Sequence, residues 1–192
     1  MKVNRFGRAA ILSPPQISLL FTEGFVLPRD RALFGVCLYG AARINEACTL
    51  LTGDVIGIKG VRDKLVIRSH NTKGGRDTRE IDVHPCLKGY LEEYLESGFN
   101  AKKPYLFPGR HGRGHLQKGS ADLILRTVCR QLELEGVSTH SFRRTALTMM
   151  SDAGVPLRHI QAISGHRTLS ALERYLGVTE QQKKSAIEAR KF

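Results

Sequence analysis

Apolar residues in the first quarter of the chain recur every three or four positions, a spacing that places them on one face of an α-helix. Ser13 followed by two prolines predicts a helix start, and the helix runs to about Phe21. A second helix is predicted from Leu27-Pro28 to an interruption at Gly40. A third is predicted over 43–51. The chain therefore begins as a helical protein.

The hydrophobic period shortens after a turn at 52–54. Short β-type runs follow at 55–56, 65–67 and 81–83. A glycine-bearing loop at 71–75 separates the last two runs, which is typical of a β-hairpin. A small antiparallel sheet is therefore predicted between helical segments.

Helical patterns resume in the second half of the chain. The stretch 97–119 is rich in Gly, Lys, Arg and Pro, which predicts a loop around the short apolar piece 105–107. Helices are predicted at 85–95, 120–134, 140–152, 156–163 and 168–175. The predicted fold class is α+β: a mainly α-helical domain with a small antiparallel β-sheet or hairpin on one edge.

The net charge is the first indication of function. The 192 residues include 30 Lys+Arg against 18 Asp+Glu, which gives a net charge of +12. Such a charge favours a polyanionic partner, most often nucleic acid. An acidic membrane surface fits less well, because the basic residues are dispersed. No apolar run approaches the roughly 20 residues of a membrane span, and no secretory signal is evident. We therefore expect a soluble cytoplasmic protein that binds nucleic acid and not a membrane.

The cysteine and histidine spacings do not indicate a metal site. The four cysteines include no Cys-x-x-Cys pair, and Cys37 and Cys48 fall in apolar helical patterns typical of buried thiols. An even number of cysteines can form disulfides, but nothing else indicates export. His111 and His115 lie in a Gly/Arg-rich loop with no glutamate between them. We expect neither a metal ion nor a cofactor.

Two basic residues stand at positions suited to binding an anion. Arg43 opens a predicted helix shortly after Gly40, and Lys73 lies in the hairpin loop. Each also has an ordinary interpretation. Arg43 could pair with Glu46 or Glu23 on the surface, and a lysine in a polar turn is usually a solvated charge.

Two further patterns carry histidine and tyrosine. His140 and Arg143 are three residues apart, a spacing that places them on one helix face. Ser164-Gly165-His166 is followed nine residues later by Tyr175. Taken singly, each pattern has an ordinary interpretation. His-x-x-Arg often occurs by chance, Gly-His after a helix can be a helix C-cap, and a tyrosine near a helix end usually packs in the core.

In combination these patterns resemble the tyrosine recombinase (phage integrase) family. The resemblance covers about 12–176 and implies a catalytic set of six residues: Arg43, Lys73, His140, Arg143, His166 and Tyr175. It implies site-specific DNA recombination or integration by metal-free strand cleavage and rejoining through a 3′-phosphotyrosyl intermediate.

The resemblance assigns the covalent and proton-transfer steps to three of these residues. Tyr175 would attack the phosphodiester, although a phenol with an ordinary pKa of about 10 is a weak nucleophile at neutral pH. His140 would take its proton. Lys73 would protonate the leaving 5′ oxygen as a general acid.

The remaining residues would stabilise the charge of the transition state. Arg43 and Arg143 would bind the non-bridging oxygens with their guanidinium groups, and His166 would donate a further hydrogen bond there. Two residues depart from the family pattern. Ala42 stands where a larger apolar residue is usual, and Ser164 stands where Leu usually precedes Gly-His. We expect adjusted packing at both positions.

The resemblance also predicts the domain organisation. A basic tail or linker is expected over 1–11, the catalytic domain over 12–178, and a C-terminal helix or tail over 179–192. This last segment is expected either to dock on a neighbouring protomer or to be disordered when DNA is absent. The amino-terminal DNA-clamping (core-binding) domain of the family is expected to be absent. The partner would be double-stranded DNA, with a tetramer on DNA and a monomer without it. Phosphate contacts are expected from six further basic residues: Arg76, Arg79, Lys118, Arg144, Arg158 and Arg167.

Two alternatives remain open at this point. A type IB topoisomerase uses nearly the same residues to nick and reseal one duplex, but the compact spacing and the Gly-His before Tyr175 favour a recombinase. A regulatory remnant could bind DNA without catalysis, but the complete set of expected residues argues against it.

Overall fold

The computed structural model describes residues 8–69, 78–99, 101–176 and 187–188. The α-helices in these ranges are α1 (Pro14–Leu19), α2 (Pro28–Tyr39), α3 (Ile44–Cys48), α4 (Pro85–Glu96), α5 (Lys118–Gln131), α6 (Thr139–Asp152), α7 (Leu157–Ser164) and α8 (Leu169–Glu173). The strands are β1 (Ile56–Gly57), β2 (Gly60–Val61), β3 (Lys64–Ile67) and β4 (Arg79–Asp82). The predicted mainly helical α+β fold is confirmed.

Helix α1 starts where the local sequence indicates. The Ser13 hydroxyl accepts a hydrogen bond from the Gln16 backbone, and the Gln16 side chain accepts one from the Ser13 backbone. The helix continues as a π-helical turn, Leu20–Gly24. A Cβ at Gly24 would lie 2.5 Å from Val128 of α5, so glycine lets the two segments pack closely.

Helix α2 forms the centre of the core. Its residues from Ala32 to Leu38 are all buried, and it packs against α4 and α6. Phe34 stacks on Phe25 with 4.5 Å between ring centroids, and Phe142 of α6 lies 5.0 Å from Phe34. A helix that is buried on every side is apolar all round. This arrangement fixes α6 against α2 and the loop that follows α2.

The strands form two separate two-stranded antiparallel ladders. The predicted hairpin between the runs at 65–67 and 81–83 is the β3–β4 pair, with Ile67 opposite Arg79. The other ladder joins β1 to β2, and β2 has only two residues, too few for a periodic signal. The hairpin loop with Lys73 and Arg76 lies outside the described residues.

The predicted loop after α4 is anchored by its short apolar piece. Leu106 and Phe107 are fully buried, and the Leu106 amide donates to the Leu50 carbonyl at 2.9 Å. The predicted buried thiols of Cys37 and Cys48 are confirmed, and burial raises the pKa of Cys48 to about 12. Among the described residues, no helix has the length and apolar character that crossing a membrane requires.

Candidate active site

Arg143 lies at the centre of the site, in the second turn of α6. Its Nη1 donates to the carbonyl of Ala41, and its Nη2 donates to the carbonyl of Ser164 at 2.7 Å. Ala41 adopts a left-handed conformation with φ 46°, which is uncommon for a non-glycine residue. The segment between α2 and α3 therefore brings a backbone acceptor to the arginine.

Glu46 of α3 provides the counter-charge of this arginine. Its carboxylate accepts hydrogen bonds from the backbone N–H and Nη1 of Arg43, both at 2.8 Å, and from Nη2 of Arg79 at 2.7 Å. Nη1 of Arg143 lies 3.9 Å from Glu46 Oε2. Three guanidinium groups therefore surround one carboxylate, which is 1% exposed.

This environment changes the pKa of both Glu46 and Arg143. Burial by itself would raise the pKa of Glu46. The pKa is nevertheless lower than its ordinary value, because Arg79 contributes a hydrogen bond and a positive charge, the Arg43 backbone donates a hydrogen bond, and Arg143 adds a positive charge. Burial, followed by the positive charge of Arg43, lowers the pKa of Arg143 to about 9. Both groups remain charged at neutral pH.

The sequence offered Glu46 as one possible surface partner of Arg43. The pair forms, but its surface location is wrong because Glu46 is buried. A signal for its role was present. An acidic residue three positions after Arg43 can bind back to the backbone at the helix start. The neighbouring Ala47 and Cys48 are apolar and also buried.

Arg79 completes the cluster from strand β4. Its Nε donates to the carbonyl of Ile163 at 3.1 Å, and its side chain is 9% exposed. The sequence suggested that Arg79 contacts DNA, but the guanidinium faces inward and binds Glu46. Arg79 therefore contributes to holding the cluster together, and its phosphate contact stays a prediction.

His166 follows a helix end that glycine makes possible. Gly165 caps α7 in the left-handed conformation with φ 64°, and a Cβ there would lie 3.0 Å from Arg79. His166 Nδ1 lies 2.8 Å from Ser164 Oγ, and Nε2 lies 3.4 Å from Arg143 Nη2. Burial, then the positive charge of Arg143, lowers the pKa of His166 to about 3. The imidazole is therefore neutral at neutral pH.

Tyr175 lies just after α8, against these two residues. Its ring centroid is 4.8 Å from that of His166, and Arg143 Cζ lies 5.8 Å from the Tyr175 ring centroid. The ring is half-buried. A tyrosine, a neutral histidine and a buried arginine therefore meet at one place, next to Arg43.

Comparison with known proteins identifies the family. Residues 25–182 match the model of the phage integrase family. The chain belongs to the phage integrase family. It is 32% identical over 167 residues to the tyrosine recombinase XerA of Pyrococcus horikoshii and 31% identical over 169 residues to that of Pyrococcus furiosus. The matches cover 85% of this chain and 55–56% of those relatives, so the chain spans about half of their length.

Solved structures share the fold. The crystal structure of XerA recombinase matches with a TM-score of 0.80 and 19% identity, over 95% of this chain and 66% of that one. The Tn1549 transposon integrase in complex with circular intermediate DNA matches with a TM-score of 0.74 and 16% identity, over 95% and 66%. XerH recombinase bound to difH substrate matches with a TM-score of 0.75 and 18% identity, over 98% and 55%.

The family resemblance predicted six catalytic residues. The structure brings four of them together: Arg43, Arg143, His166 and Tyr175. His140 lies in the first turn of α6 and is exposed. Lys73 lies outside the described residues. No three His, Cys, Asp or Glu side chains converge as a metal-ligand set in the described part of the chain.

The basic residues expected to contact DNA differ in their surroundings. Lys118, Arg158 and Arg167 are exposed, whereas Arg76 lies outside the described residues. Arg144 is half-buried: its Nη1 donates to the carbonyl of Ala9, and its Nε donates to the carbonyl of Tyr175 at 3.3 Å. Arg144 therefore connects the N-terminal segment with the backbone of Tyr175.

Proposed function

We propose that this chain is the catalytic domain of a site-specific DNA recombinase or integrase, which cleaves and rejoins DNA through a covalent bond between Tyr175 and a 3′ phosphate. The observation that carries the proposal is the contact of the Tyr175 ring with His166 and Arg143, beside the three guanidinium groups on Glu46. This combination supplies a nucleophile and fixed positive charge at one place.

In the cleavage step, the phenolic oxygen of Tyr175 attacks the phosphorus atom, and the bond from phosphorus to the 5′ oxygen breaks. The phenol proton passes to a base, for which we propose His140. The departing 5′ oxygen takes a proton, for which we propose Lys73. Attack by a 5′ hydroxyl reverses the step. The energy of the phosphodiester is kept in the phosphotyrosine, so the reaction needs no ATP.

The guanidinium groups differ in how far they can reach a phosphate. The side chain of Arg43 is 22% exposed, whereas that of Arg143 is fully buried. Arg43 therefore faces a phosphate arriving from solvent. The Nε–H of Arg143 is buried and has no acceptor among the described residues, so it would meet an oxygen of the transition state only after the surrounding side chains move. These charges can neutralise a phosphorane-like state as Mg²⁺ does in other phosphoryl-transfer enzymes.

We propose double-stranded DNA as the partner. The net charge of +12 and the exposed Lys118, Arg158 and Arg167 support it. The Tn1549 integrase and XerH were solved with DNA, which supports it by analogy. A tetramer on DNA, docking of 179–192 on a neighbour and cytoplasmic localisation stay predictions.

The test is capture of the covalent adduct. The chain is incubated with a pool of random-sequence duplexes that carry nicks, so that the cleaved end diffuses away and the adduct accumulates. We expect an SDS-stable adduct at Tyr175 by peptide mass spectrometry, formed also in the presence of EDTA. Tyr175→Phe should form none, whereas Tyr105→Phe, at another half-buried tyrosine, should react normally. An adduct in Tyr175→Phe, or none in the unaltered chain, would contradict the proposal.

A further inference from the structure

Ser164 is a buried polar residue next to the catalytic cluster. It is the last residue of α7, and its side chain is inaccessible to solvent. Its Oγ lies 2.8 Å from His166 Nδ1 and 3.3 Å from the carbonyl oxygen of Gln161. At this position, where resemblance to the family leads us to expect leucine, the chain has a hydroxyl bonded to a histidine of the site.

The donors and acceptors around His166 define the position of its proton. Arg143 can only donate, so its Nη2, 3.4 Å from His166 Nε2, requires a lone pair on that nitrogen. A neutral imidazole has one N–H, and it must then be on Nδ1. The Nδ1–H donates to Ser164 Oγ, whose own proton goes to the carbonyl of Gln161.

The other tautomer fits this site less well. With the proton on Nε2, the imidazole N–H would face an N–H of Arg143 and would lack an acceptor among these residues, while Arg143 Nη2 would keep only the Ser164 carbonyl. Leucine at 164 could neither accept from nor donate to the ring. A hydroxyl is therefore the feature that orients the buried imidazole.

Backbone bonds tie the same serine to the arginine. The Ser164 carbonyl accepts from Arg143 Nη2 at 2.7 Å, and Gln161 Nε2 donates to the His166 carbonyl at 2.9 Å. The end of α7 therefore holds Arg143 and His166 in one fixed relation.

We propose that Ser164 is a positioning residue: its hydroxyl sets the tautomer and ring orientation of His166, and through the ring it orients the guanidinium of Arg143. The consequence for catalysis rests on the proposed function. The assignment of the proton does not, because it rests on the hydrogen bonds among Ser164, His166 and Arg143. The hydrogen bond to a phosphate oxygen that the resemblance implies for His166 would require the proton to move to Nε2, with the Ser164 hydroxyl then donating to Nδ1.

The first test reads the tautomer directly. ¹⁵N-labelled histidine in the intact chain gives separate NMR signals for protonated and unprotonated ring nitrogens. We expect a protonated Nδ1 and an unprotonated Nε2 for His166. Ser164→Ala should shift both signals toward an average of the two tautomers, and Ser164→Thr, which keeps the hydroxyl, should restore the original pattern. A proton on Nε2 in the unaltered chain, or no change in Ser164→Ala, would overturn the proposal.

The second test reads adduct formation. Ser164→Ala should slow it about five- to tenfold, the effect of one lost hydrogen bond, without changing DNA affinity. Ser18→Ala, at an exposed helical serine, is the matched control and should leave the rate unchanged. Thermal unfolding verifies that each variant is folded.

A double-mutant cycle separates positioning from packing. In a His166→Ala background, Ser164→Ala should cause no further loss. The same five- to tenfold loss there would show that Ser164 acts by packing, which would overturn the proposal. A complete failure of the unaltered chain to form an adduct would count against the proposed function, and the NMR measurement would still decide the assignment of Ser164.

Discussion

The inner and outer parts of the candidate site are held in different ways. The inner part is the buried carboxylate of Glu46 with three guanidinium groups: Arg43 and Arg79 donate charge-assisted hydrogen bonds to it, and Arg143 lies 3.9 Å from it. At the outer part, Tyr175 follows a helix of five residues. The charges are therefore built into the fold, whereas the nucleophile is attached at its edge.

The physical reason for the difference is the free energy of burying a charge. A carboxylate with no exposed surface must be paired, and its partners can move only if the core opens. Tyr175 is half-buried and is held by its ring contacts, by the bond from its amide to the Leu172 carbonyl, and by Arg144. Changes in the inner part should therefore affect stability most, and changes in the outer part should affect activity more than stability.

The largest expected effect is on stability. Glu46→Gln should lower the free energy of unfolding by about 3–5 kcal/mol, because buried guanidinium groups lose their counter-charge. Urea unfolding measures the change. The control is Glu80→Gln, which removes an exposed ion pair with Lys64 and should cost less than about 1 kcal/mol. Equal losses in the two variants would show that the inner cluster is not held by its charge.

A smaller effect should appear in the dependence of stability on pH. The folded pKa of His166 is lowered to about 3 from 6.5, so the unfolded chain binds a proton that the folded chain does not. The stability from this group is complete above pH 6.5 and is lost as the pH falls toward about 3, with a slope of up to about 1.4 kcal/mol per pH unit.

Urea unfolding of the unaltered chain and of His166→Asn between pH 7.5 and 5 tests this effect. The window stays above the ordinary pKa of 4.5 for Glu46, whose lowered pKa takes effect only at more acidic pH. We expect the variant to have a flatter profile. The same slope in both proteins would contradict a buried neutral imidazole.

The smallest expected change in stability is at Arg144. Arg144→Ala should lower the free energy of unfolding by no more than about 1–3 kcal/mol, because the carbonyls of Ala9 and Tyr175 lose a donor. It should also slow adduct formation at saturating DNA about tenfold, by releasing the backbone of the nucleophile. Arg144→Lys retains the charge but not the fork that reaches both carbonyls, so it should not restore the rate.

The same variant separates two interpretations of Arg144. The sequence predicted a phosphate contact. In that case Arg144→Ala would reduce the number of counterions released on DNA binding by about one, as read from the salt dependence of the affinity, and would leave the rate of adduct formation at saturating DNA unchanged. An unchanged salt dependence with a slower rate would favour positioning of Tyr175.

Helices with strong local signals were predicted closely. The expected 85–95 and 140–152 correspond to Pro85–Glu96 and Thr139–Asp152. Prolines and the helical period are properties of neighbouring residues, so they are readable locally. The short helices end earlier than expected: Ile44–Cys48 against 43–51, and Leu169–Glu173 against 168–175. Their ends depend on tertiary contacts, which a local pattern does not contain.

The sequence by itself determined the helical fold class and, through the order of its chemical residues, the family. Only the tertiary structure decided which charges are buried and what each contacts. Arg79 and Glu46 are 33 positions apart, and Arg143 and Ser164 are 21 apart. The energy of a charged or hydroxyl group depends on burial and on such distant partners. Adjacent arginines, Arg143 and Arg144, can therefore have different partners although the sequence alone hardly distinguishes them.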